Sequence, residues 1–265
     1  MENNTGRRWR GRVLAVAATA VVGLAAAAPA QASAAYGAMG WVRIPNSQAL
    51  PGSSVQTVQG QRVGGSCVFT AQLSLSGTQR SARADEVGYN PLTCQAQLAV
   101  LVSDQVLPQA QAPKGQSRHG SSVSTAAGPG PVGGASPNAS SSGYFHSETW
   151  DPVGLEINMV ENGGTWSHGS CVTGGTGYNS YWWLSNDGWQ LSASNFSNTF
   201  SCSRQDVSSY AHFYNFPFCG GTNTFFNRNH FYGNANGSVG GTVAWSASGC
   251  LSNVLSVHYY SSKTA

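Results

Sequence analysis

The most regular stretch of the chain runs from Cys67 to Leu75, where Cys67, Phe69, Ala71, Leu73 and Leu75 alternate with Val68, Thr70, Gln72 and Ser74. Side chains alternate across an extended strand, so this segment predicts a β-strand with one buried face. The same alternation recurs at Leu92, Cys94, Ala96, Leu98, Val100 and Val102, set against Thr93, Gln95 and Gln97. Cys67 and Cys94 both fall on the apolar parity, which predicts that each is buried on its strand. The link between the two, Ser76 to Pro91, carries Gly77, Gly88 and Asn90-Pro91 and reads as turns.

The second half has the same style. Leu155, Ile157 and Met159 alternate with Glu156 and Asn158, Trp189 and Leu191 flank Gln190, and Val239, Gly241, Val243 and Trp245 alternate with smaller residues. A last apolar run lies between Val254 and Tyr260. Short strands between Gly, Asn and Ser turns, with no convincing amphipathic helix, predict an all-β fold, an antiparallel β-sandwich or barrel.

The pattern fails between Pro108 and Ser142, which is almost entirely Pro, Gly, Ser, Ala and Gln. Such composition buries too little apolar surface to offset about 1–2 kcal/mol of backbone entropy per ordered residue, so a disordered loop is expected at about 108–142. The stretch from Tyr36 to Leu107 holds one cysteine pair and two convincing strands, thin for a core of its own. The reading is therefore one β domain, 33–265, interrupted by a loop. Two modules joined by a linker is the alternative.

The N-terminus reads as a signal peptide, 1–32. Arg7, Arg8, Arg10 and Arg12 precede an uncharged, largely apolar run from Val13 to Ala28, and Ala30-Gln31-Ala32 offers the small residues of a cleavage site before Ser33. The run is shorter and less apolar than the roughly 20 residues a spanning helix uses. Arg7-Arg8 leaves a twin-arginine export route open. A secreted, extracellular protein without a membrane anchor after cleavage is expected.

That compartment decides the cysteines. Cys67, Cys94, Cys171, Cys202, Cys219 and Cys250 are even in number and expected to pair as disulfides. Six cysteines allow 15 connectivities. Sequential pairing, Cys67–Cys94, Cys171–Cys202 and Cys219–Cys250, closes loops of about thirty residues and is preferred. No C-x-x-C pair suggests zinc.

Cleavage also removes the positive charge. The formal net charge is +3, and the segment lost holds four arginines and Glu2, again +3. The remaining chain is formally neutral without a Lys/Arg cluster, which argues against nucleic acid. No cofactor and no metal ion is expected.

No Gly-x-Ser-x-Gly elbow, phosphate-cradling loop or H-E-x-x-H helix occurs. Four of the carboxylates fall between Glu148 and Glu161, and Glu148 with Asp151 or Glu156 would supply the pair a glycosidase needs. The plain reading of Glu156, on the parity opposite Leu155 and Ile157, is a solvated side chain. His146 and Glu148 share one side of an extended segment, while His212, His230 and His258 sit in aromatic-rich strands and read as packing residues. Aromatic residues crowd the second half. Trp182 and Trp183 point to opposite faces of a strand, so a sheet with one wet face would expose one of them. Trp182, Trp183 and Trp189 are the candidate contact rings for an extracellular polysaccharide or cell-wall polymer.

The stretches Ser142 to Pro152 (SGYFHSETWDP), Gly169 to Val172 (GSCV), Gly188-Trp189, Cys202, Tyr210 to Phe213 (YAHF) and Phe218-Cys219 resemble small secreted proteins of actinobacteria with no assigned activity. Asp85 to Cys94 (DEVGYNPLTC) resembles their N-terminal half. The resemblance implies that both halves form one unit, and it brings no catalytic residues. A non-enzymatic binding or surface protein is the expectation; a secreted hydrolase, of glycosidase type, is the alternative.

Overall fold

A computed structural model describes residues 40–44, 49–107, 121–127, 139–217 and 220–264. The strands are β1 (Val42–Arg43), β2 (Ser54–Gln59), β3 (Gln61–Val63), β4 (Ser66–Leu75), β5 (Ser81–Asn90), β6 (Gln95–Ser103), β7 (Ser121–Ala127), β8 (Ala139–Trp150), β9 (Glu156–His168), β10 (Gly174–Trp183), β11 (Trp189–Phe200), β12 (Arg204–Asn215), β13 (Thr222–Asn234), β14 (Val239–Gly249) and β15 (Ser256–Thr264). Every pairing is antiparallel. One sheet has the order β2-β6-β5-β15-β8-β9-β10-β7, with β1 also on β5; the other has the order β11-β12-β13-β14-β4-β3. The two face each other as a β-sandwich. Strands from before and after the Pro/Gly/Ser-rich stretch lie side by side in both sheets, β5 on β15 and β4 on β14.

The core lies between the sheets. Phe69, Ala71, Leu73 and Leu75 of β4 point into it, as their alternation predicts, and meet Ala84, Phe145, Val160, Phe213, Phe226, Phe231 and Val243. It is not wholly apolar. Asn162 Nδ2 on β9 donates to the carbonyls of Asn229 (2.8 Å) and Val207 (3.2 Å) in the facing sheet, and its Oδ1 accepts from Ser209 Oγ at 2.7 Å. Ser147 Oγ on β8 donates to Asn229 Oδ1 at 2.6 Å. These side chains are fully or almost fully buried, so a polar clasp with its hydrogen bonds made crosses the interior.

Two of the expected bridges, Cys67–Cys94 and Cys171–Cys202, are formed. Cys219 lies outside the described residues, and with it the third expected bridge to Cys250. Cys67 and Cys94 are 27 residues apart. Replacing both by alanine is expected to cost about 3–4 kcal/mol, chiefly by freeing the unfolded chain, and shows as a lower denaturant midpoint. An unchanged midpoint overturns that assignment of stability.

Three expectations need correction. The link Ser76 to Pro91 is not a run of turns: its middle is the ten-residue strand β5. Polar Arg83, Asp85 and Glu86 hid that strand, because both of its faces are mostly buried and the hydrophobic alternation is absent. Cys94 is buried but sits at φ 51° in the turn before β6, and Leu92, assigned to the core parity, is 76% exposed. The expected disordered loop contains an edge strand, since β7 pairs with β10 over seven residues and β8 begins at Ala139. Ser and Thr are competent on a sheet edge, and side chains anchor the main chain of β7: Asn179 Oδ1 accepts from the Ser122 N–H (3.0 Å) and Asn198 Nδ2 donates to Ser124 O (2.9 Å). The rest of that loop, like the segment 1–32 read as a signal peptide, lies outside the described residues.

Candidate functional site

Ser147, Asn158 and Asn162 reach across to the facing sheet, so their neighbours in sequence on β8 and β9 face away from it. The cross-strand register then sorts the outward side chains into rows. One row holds Arg83, Tyr260, His146, Glu161 and Ser180; the next holds Asp85, His258, Glu148, Met159 and Trp182. A third sets Ser256, Trp150 and Glu156 together. Local irregularity makes this convergence. Thr149 pairs with Asn158 but Trp150 with Glu156, so β9 carries one extra residue there, and this bulge turns Glu156 to the side of Glu148.

The rows are joined by hydrogen bonds. Arg83 Nε lies 2.8 and 2.9 Å from the two oxygens of Asp85, whose Oδ1 is 2.6 Å from His258 Nδ1. His258 Nε2 is 3.2 Å from Ser256 Oγ, and Trp150 packs on the His258 ring. One strand further, His146 lies between carboxylates, with Nε2 3.0 Å from Glu148 Oε2 and Nδ1 3.2 Å from Glu161 Oε2. The other oxygen of Glu161 accepts from Tyr178 Oη at 3.2 Å. The His146 imidazole is pushed up from its ordinary value to about 10. Burial is the largest single influence and acts to lower it, but the hydrogen bonds and charges of Glu148 and Glu161 together outweigh burial, so the imidazole is protonated at neutral pH.

Of the nine carboxylates left by the predicted cleavage, four (Asp85, Glu148, Glu156 and Glu161) lie on this one face. His146, Glu148 and Glu156 each bring one ligand-type atom within 4.8 Å of the others. Glu156 is only 2% exposed, against its plain reading as a solvated side chain. Asp151 stands apart, in the β8–β9 turn, where Oδ1 accepts from the Val153 and Leu155 N–H groups. It also lines a separate cavity of about 260 Å³ with Asp187, Trp189 and Leu255.

Beside this network the face opens. Row by row beyond Glu161 come Ser262, Tyr144, Gly163 and Tyr178, then Thr264, Ser142, Thr165 and Thr176. All of these but Gly163 line a groove of about 330 Å³. Gly163 is required here: a Cβ on it would meet the Tyr178 ring and hydroxyl at 2.7 Å, so only glycine lets the phenol lie down and reach Glu161.

The indole expectations are corrected. Trp182 is 0% exposed and Trp189 is buried, while Trp183 is half-buried against Phe213. The outward face is not uniformly wet, and the indole at Trp182 is enclosed in it. His212 and His230 fit the packing reading: His212 stacks on Phe225, and His230 Nε2 bonds Asp206 Oδ1 at 2.7 Å. His258 is likewise buried, hydrogen-bonded and packed on Trp150, and in addition joins Ser256 and Asp85 in the connectivity of an acid–base relay. Ser256 is nonetheless buried, unlike a nucleophile open to a substrate.

Asp85, His258, Glu161, Tyr144 and Tyr178 were not selected as site residues from the sequence. Their signal was parity: Tyr144, His146, Glu148 and Trp150 alternate on β8, as do His258, Tyr260 and Ser262 on β15, marking one polar and aromatic face. No protein-family model matches the chain, and no curated protein or solved structure is significantly similar to it.

Proposed function

We propose that the chain is a non-enzymatic, secreted protein that binds an extracellular polysaccharide or cell-wall polymer, with the groove between Tyr144 and Tyr178 as its contact surface. The observation that carries this reading is the groove's chemistry. Two phenol rings offer apolar faces for stacking, Ser142, Thr165, Thr176 and Thr264 offer hydroxyls, and the Glu161 carboxylate lies just beyond the Tyr178 hydroxyl. Its volume falls at the lower end of the range for small-ligand sites, enough for one or two sugar units of a chain running over the sheet. The formal neutrality expected after signal cleavage suits an uncharged, hydroxyl-rich partner. The tyrosines take the role that the sequence suggested for Trp182, Trp183 and Trp189.

A glycosidase reading draws on one specific observation, the approach of Glu148 to Glu156. Both carboxylates are buried and neither lines the groove, so they do not flank a path for a sugar chain. Binding is the better-supported function.

The purified chain should be retained on at least one of insoluble peptidoglycan, chitin, cellulose and xylan. Tyr144→Ala and Tyr178→Ala should each weaken retention by about tenfold, the value of one lost stacking partner. Tyr178→Phe keeps the ring and should retain most of the affinity. No retention of the native chain on any of the four, or unchanged retention in both alanine variants, overturns the proposal.

A further inference from the structure

We propose that His146, Glu148 and Glu156 form a binding site for one divalent transition-metal cation of the zinc or manganese class. The reading is independent of glycan binding and reverses the expectation of a metal-free chain. Its basis is the convergence of three side chains from two strands: His146 and Glu148 are two residues apart on β8 and share a face, and the β9 bulge brings Glu156 to them. Their ligand atoms all lie within 4.8 Å of one another. His146 Nε2 and Glu148 Oε2 are 3.0 Å apart, a spacing compatible with two ligands on one ion whose bonds are about 2.0–2.1 Å.

The imidazole is also backed in the way a metal ligand needs. Glu161 Oε2 faces Nδ1 at 3.2 Å and its carboxylate is fixed through Tyr178, so an ion that displaces the Nε2 proton finds Nδ1–H donating to Glu161 and the Nε2 lone pair on the side of Glu148. A carboxylate behind a histidine in this manner sets its tautomer and raises its basicity as a ligand. One imidazole and two carboxylates match zinc, manganese or ferrous iron better than calcium or magnesium, which prefer all-oxygen shells. The electrostatics favour a cation as well. Glu148, Glu156 and Glu161 surround a single imidazole, and Arg83, the guanidinium of the neighbouring row, is held by Asp85. Two positive charges among the carboxylates would offset the desolvation of Glu148 and Glu156.

The test uses the full mature chain, stripped with a chelator and returned to chelator-free buffer. Titration calorimetry with zinc, manganese and cobalt(II) ions should show one site per chain at micromolar affinity or tighter for at least one of them. Cobalt should give visible ligand-field bands. His146→Gln and Glu156→Gln should each weaken binding by more than about 100-fold, and Glu161→Gln, which alters only the backing carboxylate, by about 10–100-fold. Circular dichroism establishes that each variant is folded; if His146→Gln or Glu156→Gln is not, the native titration and Glu161→Gln decide. Absence of stoichiometric binding by the native chain overturns the site, as does binding that survives these substitutions unchanged. In either case His146 is a hydrogen-bonded clasp between Glu148 and Glu161.

Discussion

Replacing Glu86 by glutamine flattens the pH dependence of stability between about 4.5 and about 8, and leaves the variant more stable than the native chain in alkaline solution. Glu86 follows Asp85 on β5, so the two carboxyls point to opposite faces: Asp85 outward to His258, Glu86 inward to Phe69, Trp245 and Tyr259. Burial raises the Glu86 carboxyl from 4.5 to about 8, and the hydrogen bond accepted from the Val257 N–H at 3.1 Å offsets only part of that rise. A carboxyl raised on folding keeps its proton in the native state while the unfolded chain has lost it. The native state therefore binds more protons across this window, and stability is full below about 4.5 and falls as pH rises to about 8. A shift of this size corresponds to up to about 5 kcal/mol. Glutamine keeps the acceptor for Val257 and carries no charge at any pH. Denaturant unfolding at pH 5, 7 and 9 checks this, and parallel curves for the two proteins would exclude Glu86 as the titrating group.

Asn229→Leu is expected to destabilise the chain by about 2–4 kcal/mol although it replaces a polar residue by an apolar one in the core. The substitution leaves Ser147 Oγ without its acceptor and removes the Nδ2 donor that Asn162 Oδ1 shares with Ser209. The stranded Ser147 hydroxyl costs about 1–3 kcal/mol, and the bond lost at Asn162 Oδ1, which keeps only Ser209, adds about 1 kcal/mol. In the double variant Asn162→Leu/Asn229→Leu the penalties should fall short of the sum of the singles by about 2 kcal/mol, because both ends of the clasp are removed together. Strict additivity would mean that the two asparagines do not act as a unit.

The strand β4 was legible because it obeys the simplest case, one apolar face and one polar face. Strand β5 was not, because its outward face is also buried and is built from an ion pair and a carboxylate–imidazole contact whose partners lie far along the chain: Asp85 and His258 are 173 residues apart. Local pattern reports local periodicity and cannot pair such residues. Glu148 and Glu156 were both recognised as chemistry-bearing. Their meeting was not readable, since uninterrupted alternation on β9 puts Glu156 on the face of Asn158, and only the bulge moves it to the other side. Trp182 failed as a contact ring for a related reason. The expectation that one sheet face is wet holds for most antiparallel sheets but not where the outward face is enclosed around a polar network.

Sharing both sheets between the beginning and the end of the chain sets the order in which it acquires structure. Strands β4 and β5 have near partners in β3 and β6, but each waits for a distant strand, β14 or β15, to cover its other edge. The hairpin of β8 and β9 and the meander from β11 to β14 need only near neighbours. Local units of that kind close first, whereas contacts over such long separations come late, after their loop entropy has been overcome. The Cys67–Cys94 bridge clamps β4 to the turn leading into β6 independently of the C-terminal strands. It can therefore hold that early segment in register until the last two strands are available to complete both sheets.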